Sequence, residues 1–378
     1  MEPNQTVAVF GAYGHTGRFV VAELIERGWT PILCGRDLAR LNTVEEAHRE
    51  LDRRPASVDD PASLDRALFG AAAVINCAGP FAATSGPIID AALRARVPYL
   101  DVAAEIEEVT ATFDQYASRA RDAGIVILPA MAFYGGLGDL LATAALGDWS
   151  NADEISIAYG LSSWKPTLGT RATSAVSHRR RNGQRIVFSN GKMEHRTNAA
   201  PISEWIFPAP LGAQDVVGEF TMVDSVTIAH HLKSPEIRSY MTVTAVKDLS
   251  DEDVSPPIAV DPSGRSSQTF LVDVVARLGS RERRATASGR DIYAITAPLV
   301  VEATQRLLGG FDGTRGVFAA GELFDAQEFL KALSPKHLRL DIDSAPNRET
   351  QSLPPRAVRN WRDVSAITAA GTMARSAK

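Results

Sequence analysis

The sequence predicts an α/β protein: a doubly wound parallel sheet, followed by a second α+β domain built on a mixed or antiparallel sheet. Three observations carry this expectation. Short apolar runs alternate with amphipathic segments through the first 130 or so residues, the rhythm of strand–helix–strand units. Gly11, Gly14 and Gly17 stand where the first strand gives way to the first helix. The second half changes texture, with alternating strand patterns and two Asn-Gly pairs. At 378 residues the chain exceeds the size at which a single core keeps growing. The expected division is 1–133 for the parallel-sheet domain and 134–288 for a substrate or dimerisation domain, then 289–342 as a helical segment returning to the first domain and 343–378 as an extended or disordered tail.

Taken in order, Thr6–Phe10 is an apolar, β-branched run and reads as a buried parallel strand, with a helix over 16–27 behind it. The glycines suit a Rossmann-type turn, where the backbone must approach a pyrophosphate and helix and strand must pack without a Cβ between them. The phosphate would rest on the free N–H groups and positive dipole end of that helix. Residues 31–35 form the second strand, and a helix is expected over 37–51. Asp59-Asp60 turns into a helix over Pro61–Leu68. Strands follow at 71–77, 97–102 and 124–129, with helices at 87–94, where Pro87 takes a first-turn position, and at 113–123. In the second half, 154–161 alternates as a strand, and 179–196 reads as a three-strand meander turned by Asn182-Gly183 and Asn190-Gly191. Further strands are expected at 220–228, 238–246 and 268–278, a loop over 248–264, and a helix over 294–308.

Ligands of such sheets lie outside the carboxyl ends of the strands. The expected dinucleotide contacts are therefore Gly11, Tyr13, Gly14, His15, Thr16 and Gly17 in the first turn, Arg36 and Asp59 at later strand ends, and Ala78, Gly79, Pro80 and Phe81 after the 71–77 strand. Arg36 at the end of the second strand favours a 2′-phosphate, hence NADP(H) over NAD(H), with Asp37 as a helix cap; Arg40 could reinforce the charge. A solvated loop role for Arg36 is the alternative.

Net charge −5 leaves no electrostatic footprint for nucleic acid. No apolar run reaches the length of a membrane span, and the start MEPNQT lacks a signal-peptide core, so a cytoplasmic protein is expected. The two cysteines, Cys34 and Cys77, fall in predicted strands, and with scattered histidines they give no metal-ligand spacing. Exposed sheet edges in the second domain favour a homodimer.

Four stretches, GAYGHTG, CGR, INCAGPF with Gly86-Pro87, and PYLDVAAE, are similar to the NADP-binding domain of the saccharopine dehydrogenase-like oxidoreductases. That group includes saccharopine reductases and trans-acting enoyl reductases. AFYGGLGDLLA, over 132–142, resembles its glycine-rich junction, and TLGTRATS, over 167–174, resembles the entry to its substrate domain. The resemblance implies a Rossmann domain, NADP(H) and a substrate domain on a mixed sheet, without fixing one substrate. The Asp-Pro-Gly junction of saccharopine reductases is replaced here by Tyr134-Gly135-Gly136.

No tyrosine has Lys four residues on, so the short-chain dehydrogenase pairing is absent. Tyr134 and Asp139 are the catalytic candidates, with Asp101 and Glu105 at another strand end. Thr170, read as a helix N-cap, Arg171, Lys165 and His178 are the substrate-binding candidates, suited to a small and anionic molecule. Of His230 and His231, alternating along a strand, only one would face a cleft. The expected activity is NADPH-dependent reduction of a C=C, C=N or C=O bond, enoyl-type first. A saccharopine-type dehydrogenase acting on a secondary amine and a non-catalytic NADP-responsive regulator are the alternatives.

Overall fold

A computed structural model describes residues 6–44, 50–310, 313–342 and 348–349. The first domain runs β1 (Thr6–Phe10), α1 (His15–Glu26), β2 (Thr30–Gly35), α2 (Leu38–Leu41), β3 (Arg53–Pro55), α3 (Pro61–Leu68), β4 (Ala73–Asn76), α4 (Phe81–Ala95), β5 (Tyr99–Asp101), α5 (Ile106–Ala123) and β6 (Val126–Leu128). All its strands but the edge strand β3 are fully or nearly fully buried because helices cover both faces, which is why most read as apolar runs. The parallel order is β6-β5-β4-β1-β2-β3, so the chain reverses direction beside β1, at the glycine turn. Ligands of open α/β sheets bind at such a point.

The second domain comprises α6 (Gly136–Leu146), β7 (Glu154–Leu161), α7 (Leu168–Arg180), β8 (Arg185–Ser189), β9 (Lys192–Arg196), β10 (Ile202–Ile206), β11 (Ala213–Val217), α8 (Asp224–His231), β12 (Ile237–Thr242), α9 (Val243–Ser250), β13 (Thr269–Leu278) and β14 (Arg281–Arg290). The chain then returns as α10 (Thr296–Leu308), β15 (Gly316–Val317), α11 (Ala320–Leu323), α12 (Ala326–Leu333) and β16 (Arg339–Ile342). The second sheet is mixed, in the order β10-β11-β12-β7-β13-β14-β16, with β12 and β7 parallel and the other neighbours on this path antiparallel. β15 pairs with β6 and becomes the seventh strand of the first sheet. α10 packs on α1, where Arg27 holds Glu23 at 2.7 Å and Glu302 at 2.5 Å. Within 289–342, α10 and β15 pack on the first domain, while β16 joins the second sheet beside β14.

Several expected elements differ. α4 begins at Phe81, so Pro87 lies inside it rather than in its first turn; Pro80 takes the N-cap position and Glu105 accepts the Phe81 N–H, which starts the helix earlier. α5 begins seven residues before the expected Phe113. The three-strand meander is a helix end plus a two-strand hairpin. Asn182 and Gly183, at φ 51° and 73°, lie just past α7, and only Asn190-Gly191 turns a hairpin, between β8 and β9. The same left-handed pair serves both roles, so the dipeptide alone does not distinguish them. Residues 224–231 form a helix rather than the end of a strand, which places His230 and His231 in its last turn. β12 stops at Thr242, and α9 occupies the start of the expected 248–264 loop. The second helix is short where described, and residues 45–49 and most of the 343–378 tail lie outside the described residues.

Candidate active site

The glycine turn is built by sterics. Gly11 has φ +75°, and a Cβ there would lie 2.9 Å from the Cys77 carbonyl carbon, on the next strand's exit. A Cβ on Gly17 would fall on the Gly11 carbonyl oxygen. Gly14 is the N-cap of α1 and offers no side chain, so no capping group occupies the first-turn N–H groups. These groups and the helix dipole form a cradle that fits a pyrophosphate.

Tyr13 lies flat against Gly35, where a Cβ would approach its ring to 2.6 Å, and the Arg40 guanidinium sits 4.3 Å over that ring. Asp37 spends a carboxylate oxygen on the Arg40 N–H at 3.1 Å, capping α2. The acid at this strand end is thereby turned to its own helix, and Arg36 is left exposed at the end of β2. Asp59 is exposed in the turn ahead of Asp60, which caps α3.

The Ala78–Phe81 turn is held by a buried network. Asn76 accepts the Ala78 N–H at 2.9 Å and donates to the Tyr99 hydroxyl at 3.2 Å. Tyr99 donates to Asp101 at 2.9 Å, and the other Asp101 oxygen accepts from Ala103 and Ala130. Burial pushes the Asp101 carboxyl up to about 6 against those hydrogen bonds. Asp101 is thus the clasp between the ends of β5 and β6. Glu105 accepts the Phe81 N–H at 2.9 Å, and burial raises its pKa to about 7. Its second oxygen is buried without a hydrogen-bond partner among the described residues.

α7 and the start of α10 close over this edge. Thr167, not Thr170, is the N-cap of α7 and accepts the Thr170 N–H at 3.0 Å; Thr170 instead places its hydroxyl 3.1 Å from the Tyr293 hydroxyl. Tyr293 is held further by the Thr167 N–H and the Lys165 carbonyl, and its ring meets the His15 ring edge-on at 5.1 Å. Thr173 approaches Gly79 so closely that a Cβ there would lie 3.0 Å from its hydroxyl. Burial lowers the His15 pKa against the opposing charge of Asp291. Tyr134 packs against Phe133, Tyr159 and Trp164 at 4.8 to 5.2 Å, and burial raises its phenol pKa, so it stays protonated at neutral pH. The His15 Nε2, Tyr134 hydroxyl and Trp164 Nε1 atoms are all buried without a hydrogen-bond partner among the described residues. Of these, His15 belongs to the glycine turn, while Tyr134 and Trp164 pack on each other in the aromatic cluster behind it.

Other expected residues are engaged differently. Asp139 is fully buried inside α6, with His231 Nε2 at 2.7 Å on one oxygen and the Gly321 N–H at 2.7 Å on the other, so its carboxylate joins α6, α8 and α11. Arg171 donates to the carbonyls of Asp251 and Val254, which spends its guanidinium on the following loop. Lys165 is exposed, and His178 is exposed at the far end of α7 from Thr170. Sequence reasoning missed Tyr293 and Trp164. Asp291, which accepts the N–H groups of Tyr293 and Ala294, is a helix-start signal that could have drawn attention to Tyr293. Trp164 carries no periodic signal. Among the described residues no helix is long and apolar enough to cross a membrane, and no three His, Cys, Asp or Glu side chains gather as metal ligands.

Comparison with known proteins agrees with this geometry. Residues 7–128 match the family model of the saccharopine dehydrogenase NADP-binding domain. A probable mitochondrial saccharopine dehydrogenase-like oxidoreductase of Arabidopsis thaliana is 31% identical over 147 residues, 35% of this chain and 32% of that protein. The human saccharopine dehydrogenase-like oxidoreductase is 29% identical over 145 residues, 34% of each chain. The match thus spans about a third of the length of these relatives. The apo saccharopine dehydrogenase (L-Glu forming) of Saccharomyces cerevisiae superposes with a TM-score of 0.60 at 13% identity, over 89% of this chain and 99% of that one, a likeness of fold. Residues 7–128 are thus similar to the saccharopine dehydrogenase NADP-binding domain, in a chain whose fold is like that of saccharopine dehydrogenase.

Proposed function

We propose that this chain is an NADPH-dependent oxidoreductase that transfers a hydride to a C=C, C=N or C=O bond of a small biosynthetic intermediate, with enoyl-type reduction first among these and a cytoplasmic homodimer as its working form. The observation that carries the reading is the uncapped pyrophosphate cradle of the glycine turn, with the unpartnered His15 Nε2 beside it. A bound nicotinamide supplies the hydride. The chain's own residues do the rest. Gly11, Gly14 and Gly17 admit the pyrophosphate, Arg36 and Arg40 meet a 2′-phosphate, and the Ala78–Phe81 turn runs along the cofactor. Tyr134, protonated and water-shielded, donates its hydroxyl proton to the substrate atom that gains charge. Tyr293 and Thr170 orient the substrate from the opposite wall. Enoyl reduction is favoured by the TLGTRATS stretch and by Tyr134-Gly135-Gly136 at the junction. A diacid amine substrate is disfavoured because the Arg171 guanidinium is taken by backbone carbonyls.

The test is a nicotinamide-fluorescence titration with NADPH and NADH, followed by turnover on enoyl, keto and imine substrates. NADPH should bind at least about tenfold tighter, about 1.4 kcal/mol, and Arg36→Ala should erase that preference. Tyr134→Phe keeps the ring packing and should lower turnover by roughly 100-fold with NADPH affinity unchanged. Absence of binding by either cofactor would overturn the reading.

A further inference from the structure

A cavity of about 270 Å³ opens in the second domain, and none of the residues assigned to the hydride site lines it. It exists because β12 is only partly laddered along one edge. β8 meets it at Ile237 and β11 meets it at Met241 and Thr242, while between them residues 218–220 merely cross over, with the Phe220 N–H on the Ser239 carbonyl. The gap is far larger than the roughly 30 Å³ share of one water and close to the lower end of ligand pockets, at about 300 Å³. Its walls are mixed: Val187, Phe188, Phe220 and Ile237 form an apolar strip, and among the charged groups Arg238 is paired with Glu154 and Glu236.

The polar groups of the lining are matched unequally. Glu219 is held by Arg185 at 2.5 Å, and Glu236 accepts from the Ser189 hydroxyl and the Asn190 N–H. Both acids are therefore spent. Two donors are not: the Ser239 hydroxyl, on a residue only 3% exposed, and Arg196 Nε are buried without a hydrogen-bond partner among the described residues. Arg196 reaches Glu194 through its Nη2 at 2.7 Å, which leaves the Nε edge of the guanidinium open. A pocket with an apolar strip beside an unspent guanidinium N–H and a hydroxyl free to donate suits a molecule with an apolar body and an anionic acceptor head.

We propose that this cavity is a second small-molecule site, taking a short-chain carboxylate whose hydrocarbon lies on Phe188, Phe220 and Ile237 and whose carboxylate meets Arg196 and Ser239. The site stands independently of the first domain's function. Titration calorimetry of the full chain with sodium hexanoate tests it, with hexylamine as the control of opposite charge and an NADPH titration alongside. Hexanoate should bind saturably and hexylamine should not. Ser239→Val and Arg196→Gln should each weaken hexanoate binding at least about tenfold, with the melting temperature and NADPH affinity preserved. Absence of saturable hexanoate binding, equal binding of hexylamine, or hexanoate affinity unchanged in both variants would overturn the proposal. So would a parallel loss of NADPH affinity in both variants, because the site would not then be separate.

Discussion

Buried and strand-end carboxylates are satisfied in two different ways in the two domains. In the first, backbone N–H partners lie within thirty positions: Asp37 takes Arg40, Asp60 takes Ser63, Asp101 takes Ala103 and Ala130, and Glu105 takes Phe81. In the second they lie far apart: Tyr159 and Asp224 are separated by 65 positions, Trp205 and Asp273 by 68, and His231 and Asp139 by 92. A local cap can be replaced by water at modest cost. A long-range pair buried under a sheet cannot, because losing one member strands the other in a medium of low dielectric. The first domain should therefore be sensitive to its backbone turns and the second to its buried charges.

The largest effect expected from this contrast is at Gly17. Gly17→Val should weaken NADPH binding by at least about 1000-fold, roughly 4 kcal/mol, because the side chain needs the space of the Gly11 carbonyl. Fluorescence titration measures this, and a far-UV spectrum matching wild type would confirm that the second domain stays folded. The mirror experiment is Asp273→Ala. Asp273 is fully buried between the Arg284 guanidinium and the Trp205 indole N–H, and its removal should cost about 2 kcal/mol in chemical denaturation. NADPH affinity should hold; a variant that kept its stability would break the contrast. The smallest effect is in pH dependence. Burial opposes a charged His231, but the charge and hydrogen bond of Asp139, with Glu322, raise its pKa above the ordinary 6.5. With the folded value raised, its stabilisation is complete below pH 6.5 and fades as pH rises through the folded value. Melting curves across that range should show the decline in wild type and a flatter profile in His231→Gln.

The same contrast explains what could be read from residues alone. The parallel strands, the glycine turn, the Asp37 cap and the Asp59-Asp60 turn were legible because each is specified within a few positions. Helix starts at Phe81 and Ile106 were not, since Glu105 serves both: it caps α4 through space and precedes α5 in sequence. Asn182-Gly183 was misread because a left-handed pair ends a helix as readily as it turns a hairpin. At the site, the glycines, His15 and Tyr134 were reachable by their place at strand ends. Asp139 and Arg171 fitted the same rule and were claimed by partners from elsewhere in the fold, His231 and the carbonyls after α9. Tyr293 reaches its place only because the chain returns 160 positions after the junction it faces, a distance no local pattern spans.

That return bears on how this protein can be divided. A gene cut after residue 133 would encode every phosphate-binding residue and yet would not encode a finished domain. β6 would lose β15 and present an open parallel edge to the nearest copy of itself, the arrangement from which aggregates grow. Arg27 would lose Glu302, and the apolar face of α1 would lose α10. The dinucleotide fold here is closed by a segment some two hundred residues downstream, so it matures only once residue 317 has been synthesised.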